Sequence, residues 1–383
     1  MNKFMTTVGL AVGVGLATGC NAAEWPDLPV GLKNGITTKV GDVVYAGLGS
    51  AGTAFYALDL GNKGAGWQEL AGFPGPAPSG AAFASSGDKI YVFSGSGKAN
   101  EEAASPIIFE AVHAFDTAEG TWQKMETTTP AGLLGATALT LSDGRIAITG
   151  GYNKQLFDTY LADVLGTDKE AEPEKWQKIV DDYMGMAPEA YRWNTKVLVF
   201  DPQTVTWGDM GETPYLPNTG AAAIPLEGER FLLVNGEIKP GLRTPQVKEI
   251  DLSGKTAVWR EVAQVPTPLG EDLQEGLAGA YAGYTEGGPV VAGGANFKGA
   301  RANAYAGQWF AHNGLAKRWV PQIFGRIHNG WVEIGSLGEG FAYGGAVDVD
   351  GGLLLVGGED SSRTARPDVR LLKWDGSRVS IEP

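Results

Sequence analysis

Chemistry is most concentrated between Asn235 and Thr244, in the run NGEIKPGLRT, where Glu237 and Arg243 lie six residues apart. The apolar run ahead of them, Phe231 to Val234, reads as a strand that ends at a glycine turn. Pro240 and Gly241 then turn the chain so that Arg243 can point back toward Glu237. A guanidinium within reach of a carboxylate keeps it ionised and therefore available as a general base. The same guanidinium can grip a substrate carboxylate through its planar fork. A loop salt bridge would need the same spacing, and the local sequence does not separate the two readings.

Such a pair needs a rigid frame, and the rest of the chain supplies one by repetition. Apolar strands running into Gly-Gly, or a degenerate form of it, occur at Val43 to Ser50, Ile90 to Gly97, Ile146 to Gly151, Phe231 to Glu237, Pro289 to Ala295 and Leu353 to Glu359. Each is followed by a tryptophan, in order Trp67, Trp122, Trp207, Trp259, Trp331 and Trp374. Repeats of roughly 50 residues with this order carry the kelch signature of a propeller blade. A four-stranded blade cannot bury both apolar faces alone, so blades stack in a ring with the tryptophans between them. The expectation is an all-β, six-bladed kelch-type β-propeller occupying residues 24–383 as one domain. Gly-Gly is expected where an inner strand ends near the central channel and backbones crowd. Either the segment WPDLPVGL or the tail RVSIEP could close the last blade.

Two connections are long. Between Gly151 and Val197, apolar residues at Phe157, Tyr160, Leu161 and Val164, then at Trp176, Ile179, Val180, Tyr183 and Met184, have helical period. A helical insertion of the third blade is therefore expected over about 152–194, with Pro173 in a first turn. A second insertion, Phe297 to Arg326, leaves the fifth blade and is rich in Gly, Asn and basic residues. Both are either surface elaborations or walls of a pocket.

Residues just after each Gly-Gly should face the mouth of the channel. They are Ser50, Asn153, Glu237, Lys239, Arg243, Lys298, Arg301, Glu359 and Arg363. This polar ring has a local excess of cations inside a chain of net charge −14, as an anionic small molecule would require. Polar side chains also simply populate loops. The same net charge opposes nucleic acid or an anionic membrane surface as a partner.

Composition agrees with many short strands, since 57 of 383 residues are glycine and only 19% are charged. His113, His312 and His328 have no mutual ligand spacing, so no metal site is expected and each reads as a solvated or packed residue. The only cysteine, Cys20, lies near the N-terminus, which excludes internal disulfides and a copper-radical oxidase needing a cross-linked cysteine. No Ser-x-Asp-x-Gly-x-x-x-Trp box of six-bladed sialidases and no GxSxG hydrolase motif occurs. Residues 1–23 read as a secretory signal, with Lys3 ahead of the apolar run Val8 to Ala17 and small residues from Gly19 to Ala23. A periplasmic location follows as an expectation. The run is shorter than the roughly 20 residues of a spanning helix. LATGC loosely resembles a lipoprotein site, which makes a lipid anchor at Cys20 the second option.

Several longer stretches are more specific than the kelch pattern. GLGSAGTAFY (Gly47 to Tyr56), NGEIKPGLRT, GGANFKGAR (Gly293 to Arg301), AHNGLAKRW (Ala311 to Trp319) and FAYGGA (Phe341 to Ala346) resemble the bacterial N-acetylneuraminate epimerases, six-bladed kelch propellers of the periplasm. The resemblance covers nearly the whole mature chain. It implies a cofactor-independent mutarotase acting on sialic acid, with Glu237 and Arg243 as the catalytic pair. Glu237 would take the proton of the anomeric hydroxyl, while water or Tyr343 protonates the ring oxygen. Arg243, with Lys298 and Arg301 nearby, would neutralise the sugar carboxylate; Ser50, Asn153, Lys239, Tyr343 and Glu359 complete the expected binding set. The chain departs from the family where arginines stand near Gly75 to Gly80 and at Phe341, which would alter fine specificity if those arginines hold the carboxylate. A propeller that binds sialic acid, glycan or protein without turnover is the alternative, and the helical insertion could serve a homodimer contact.

Overall fold

The computed structural model describes residues 25–383, so the signal-peptide and Cys20 expectations lie outside the described residues. Six four-stranded antiparallel sheets follow one another along the chain, each with strands in sequence order from the axis outward. In the fourth blade these strands are Ala222–Pro225, Arg230–Val234, Val247–Asp251 and Val258–Val262. The innermost strands surround an axial channel of about 470 Å³ lined by Thr37, Phe83, Thr137, Ala223, Ala282 and Ala346, among others. The six-bladed propeller is as expected, and the apolar alternation of each strand feeds clusters that lie between adjacent blades.

The tryptophans do fill these seams. Trp122 of the second blade lies 5.0 Å from Phe55 of the first, and Trp207 of the third lies 5.7 Å from Phe93 of the second, ring centre to ring centre. Trp374 departs from the pattern: it ends the third strand of the last blade, Ala365–Trp374, rather than lying in the fourth. It still reaches the seam, because Gly325 of the fifth blade leaves room for it; a Cβ there would lie 2.7 Å from the indole.

The Gly-Gly strand is the second from the axis, not the innermost, which corrects the expected placement. What demands glycine is the connection between blades. Gly150 has φ +77° and a Cβ on it would lie 2.0 Å from the Asn218 carbonyl oxygen; Gly236, at φ +93°, would meet the Thr219 carbonyl oxygen at 2.7 Å.

Ring closure is also resolved. The last blade draws all four strands from the C-terminal segment, ending in Val379–Glu382, so RVSIEP supplies its outer strand. The N-terminal segment straps across that blade instead: Trp25, Leu28 and Leu32 N–H groups donate to the carbonyls of Pro383, Pro367 and Arg366 at 3.2, 2.9 and 3.0 Å.

Every second-to-third strand connection emerges on one face, and those of the second to fifth blades carry extra structure, in the second a short ribbon pairing Ser96–Gly97 with Ile107–Ile108. In the third blade, helices α1 (Lys154–Gly166) and α2 (Pro173–Met184) pack through Tyr160 and Tyr183, stacked at 3.9 Å, and a short 3-10 turn at Pro188–Tyr191 returns the chain. In the fifth, a ribbon pairs Ala295–Phe297 with Lys317–Trp319 around helix α3 (Ala300–Tyr305). That insertion stops before the third strand, Gln322–Ile327, so its expected end at Arg326 overran into the blade. Among the described residues no helix is long and apolar enough to cross a membrane.

Candidate functional site

The fourth-blade connection folds into a two-stranded ribbon, Glu237–Lys239 against Leu242–Arg243, with Glu237 paired opposite Arg243. Cross-strand pairing is what brings the two side chains together. Arg243 Nη2 lies 3.0 Å from Glu237 Oε1, with Arg243 buried and Glu237 18% exposed at the side chain, so the carboxylate keeps an opening to solvent. Glu237 Oε1 also accepts from the Gly241 N–H at 3.2 Å, and Oε2 accepts from the Tyr152 hydroxyl at 3.1 Å.

Arg243 is fixed on several sides. Its Nε donates to the Ala295 carbonyl at 3.2 Å, its Nη2 reaches the Tyr343 hydroxyl at 3.4 Å, and its guanidinium lies 4.9 Å from the centre of the Phe297 ring. Nη1 is buried with no partner among the described residues. Burial works against the Arg243 charge, but Glu237 and then Tyr343 outweigh it and hold the guanidinium above its usual pKa. The pair is therefore a fixed cation beside a carboxylate.

Gly241, at φ +79°, makes the ribbon turn tight, and a Cβ there would lie 1.8 Å from His312 Nδ1. His312 is thus packed over the Glu237–Arg243 ribbon, between Phe297 and Phe310. Burial, with the Arg243 and Lys239 charges nearby, lowers its pKa and favours the neutral imidazole.

Of the other expected site residues, Tyr343 does stand in the site, held at φ +64° in the connection that leads into the sixth blade. Arg301 donates to the Arg243 carbonyl at 3.3 Å and to the Tyr305 hydroxyl, so it braces the Arg243 backbone. Four residues have structural employment instead. Ser50 joins the Lys33 N–H and the Gly31 carbonyl, both at 2.8 Å. Asn153 caps α1 by accepting from the Leu156 N–H at 3.0 Å. Glu359 is buried between Lys33 and Lys317, at 2.7 and 2.6 Å; burial pushes its carboxyl up and those two ammonium groups outweigh it, leaving the pKa below its usual value. Lys239 is fully buried, with Nζ donating to the carbonyls of Met184 and Trp309. The register shift between Glu237 and Lys239 breaks the alternation that would have put both on one face. Lys298 is exposed, and Arg363 is exposed too, offering its carbonyl to Lys33 at 2.7 Å.

Lys239 therefore ties both insertions to the Glu237–Arg243 ribbon, since Met184 ends α2 and Trp309 belongs to the fifth-blade insertion. Burial lowers its pKa from the ordinary 10.5 to about 8, with Glu237 acting in the opposite sense. Between these values the unfolded chain holds the proton more tightly than the native one, so native stability rises as pH climbs from about 8. Lys239→Met should remove its share of that rise and, by orphaning two buried carbonyls, cost about 1–3 kcal/mol. Thermal unfolding of both proteins across that window checks this; parallel pH dependences with equal midpoints would refute it.

Phe341, where the family pattern has an arginine, is 2% exposed and packs with Tyr281 and Leu337, with the Arg370 guanidinium 4.1 Å from its ring centre. Its side chain is part of the core and not of the mouth.

The chain matches the family model described as N-acetylneuraminate epimerase over residues 25–381. It is 54% identical to the N-acetylneuraminate epimerase of Brucella melitensis over 97% of each chain, and 48% identical to that of Vibrio vulnificus over 94% of this chain and 93% of the relative. A solved structure titled "Structure of YjhT" superposes with a TM-score of 0.87 at 35% identity, covering 94% of this chain and 99% of that one. Matches of this length and identity, on a propeller whose ribbon presents the paired carboxylate and guanidinium, mean that the chain belongs to the N-acetylneuraminate epimerase family.

Proposed function

We propose that the protein interconverts the α and β anomers of N-acetylneuraminate by acid-base ring opening and closure, with Glu237 as the base. The observation that carries this reading is the partly exposed Glu237 paired with the buried Arg243 in a chain of this family. Glu237 takes the proton of the anomeric hydroxyl as the ring C–O bond breaks, and the ring oxygen receives a proton from Tyr343. The Tyr343 hydroxyl accepts from Arg243 Nη2, so its own proton is free to be donated outward. The keto form turns its carbonyl, and closure from the other face returns both protons. Acid-base assistance of this kind supplies roughly 10²- to 10⁴-fold.

A proton NMR time course on freshly released α-N-acetylneuraminate, with and without the protein, tests the reading. Faster growth of the β-anomer signals is expected. An unchanged rate with retained sugar binding would make the propeller a binder instead.

The N-terminal 23 residues fit this reading as a secretory signal, which would place the enzyme in the periplasm. The intact mass of protein recovered from periplasmic extract should lack that segment; a full-length mass would refute the assignment.

A further inference from the structure

The two oxygens of Glu237 are not equivalent. Oε1 accepts from both Arg243 Nη2 and the Gly241 N–H, whereas among the described residues Oε2 accepts only from the Tyr152 hydroxyl. A carboxylate oxygen offers two acceptor directions, so Oε1 is filled and Oε2 keeps one free. The phenol that holds Oε2 belongs to the helical insertion. Tyr152 opens it and Trp193 closes it, and their rings lie 4.4 Å apart with Phe157 on the far side at 5.6 Å. Two contacts therefore bind the insertion to the ribbon, one at Glu237 and one two residues on: Tyr152 to Glu237, and Lys239 to the last residue of α2.

We infer that Tyr152 is a positioning residue for the reaction: its hydroxyl orients Glu237 so that Oε2 receives the substrate proton, and the helical insertion exists in part to hold it there. Burial, reinforced by the Glu237 charge, raises the Tyr152 pKa well above 10, so the phenol stays a donor throughout the working range. The other titratable groups around Glu237 are Arg243 and Lys239 on its own ribbon, Tyr183 and Tyr191 in the helical insertion, His312 in the fifth-blade insertion and Tyr343 before the sixth blade. Of these, Tyr152 alone donates to Oε2. Its donation favours the ionised carboxylate, so losing it must make Glu237 easier to protonate.

This inference rests on Glu237 being the base, and its test separates the two ideas. In Tyr152→Phe, kcat should fall about tenfold with KM within about twofold, and the acidic limb of kcat/KM should move up by about one pH unit. A purely structural tyrosine would not move that limb, and a limb superimposing on the wild type would overturn the inference. The ¹³C titration of the Glu237 side-chain carboxyl in the ligand-free protein reads the same shift without turnover, so it stands even if mutarotation is not observed; an unshifted titration would overturn the inference by itself. Should Tyr152→Phe fail to fold, 3-fluorotyrosine at position 152 keeps the hydroxyl and strengthens its donation. It should move the limb the opposite way, to lower pH, and no movement would again overturn the inference.

Discussion

Glu237→Gln is expected to abolish catalysed mutarotation, a loss of roughly 10²- to 10⁴-fold in kcat, while leaving sugar affinity within about threefold of the wild type. The substitution is nearly isosteric, and an amide oxygen placed at Oε1 can still accept from Arg243 Nη2 and the Gly241 N–H. What the amide cannot do is take a proton from the anomeric hydroxyl. Its NH₂ would also meet the Tyr152 hydroxyl, which can turn to accept, so the ribbon need not unfold. Exchange between the anomeric NMR signals measures the rate, and calorimetric titration measures affinity. Exchange as fast in the variant as in the wild type would remove Glu237 from the chemistry. Loss of affinity equal to the loss of rate would make it a binding group rather than a base.

That pair was readable from the sequence because its partners are close along the chain. A strand, a Gly turn and Pro240-Gly241 over ten residues constrain Glu237 and Arg243 to one ribbon. The frame was readable too, since glycine and tryptophan recur for packing reasons that any blade must satisfy: Gly150 beneath the Asn218 carbonyl, Trp207 against Phe93. Tyr152 was not readable. It meets Glu237 across 85 residues of chain, and nothing near it marks a tyrosine for a carboxylate rather than for the core. Lys239 misled for the opposite reason. Strand alternation put it on the face of Glu237, and the register shift turned it into a buried strut. Ser50, Asn153 and Glu359 do lie after Gly-Gly signals, but a cap, a turn and an ion pair use polar side chains as readily as a substrate does. The sequence does not say which partner a polar side chain takes: Ser50 and Glu359 both find theirs at Lys33, far away along the chain.

Arg243→Ala should be more damaging than its distance from the reacting atoms suggests, and in a way that alkaline pH partly reverses. The guanidinium lies 3.0 Å from Glu237 and supplies one of the two donors on Oε1. Removing an opposite charge at that distance takes away what favours the ionised carboxylate, and with it the base. The hydroxyl of Tyr343 would lose the donor that leaves its own proton free. Ala295 and Phe297 would border an empty space where the side chain is now 5% exposed, and breaking a buried pair from one side costs about 3–5 kcal/mol. A loss of at least about a hundredfold in kcat at pH 7 is expected, with kcat/KM recovering as pH rises. Glu237→Gln should show no such recovery, because it has no proton to lose. A pH–rate profile of the two variants side by side therefore distinguishes a residue that does the chemistry from one that keeps it ionised, and parallel profiles would refute that division of labour.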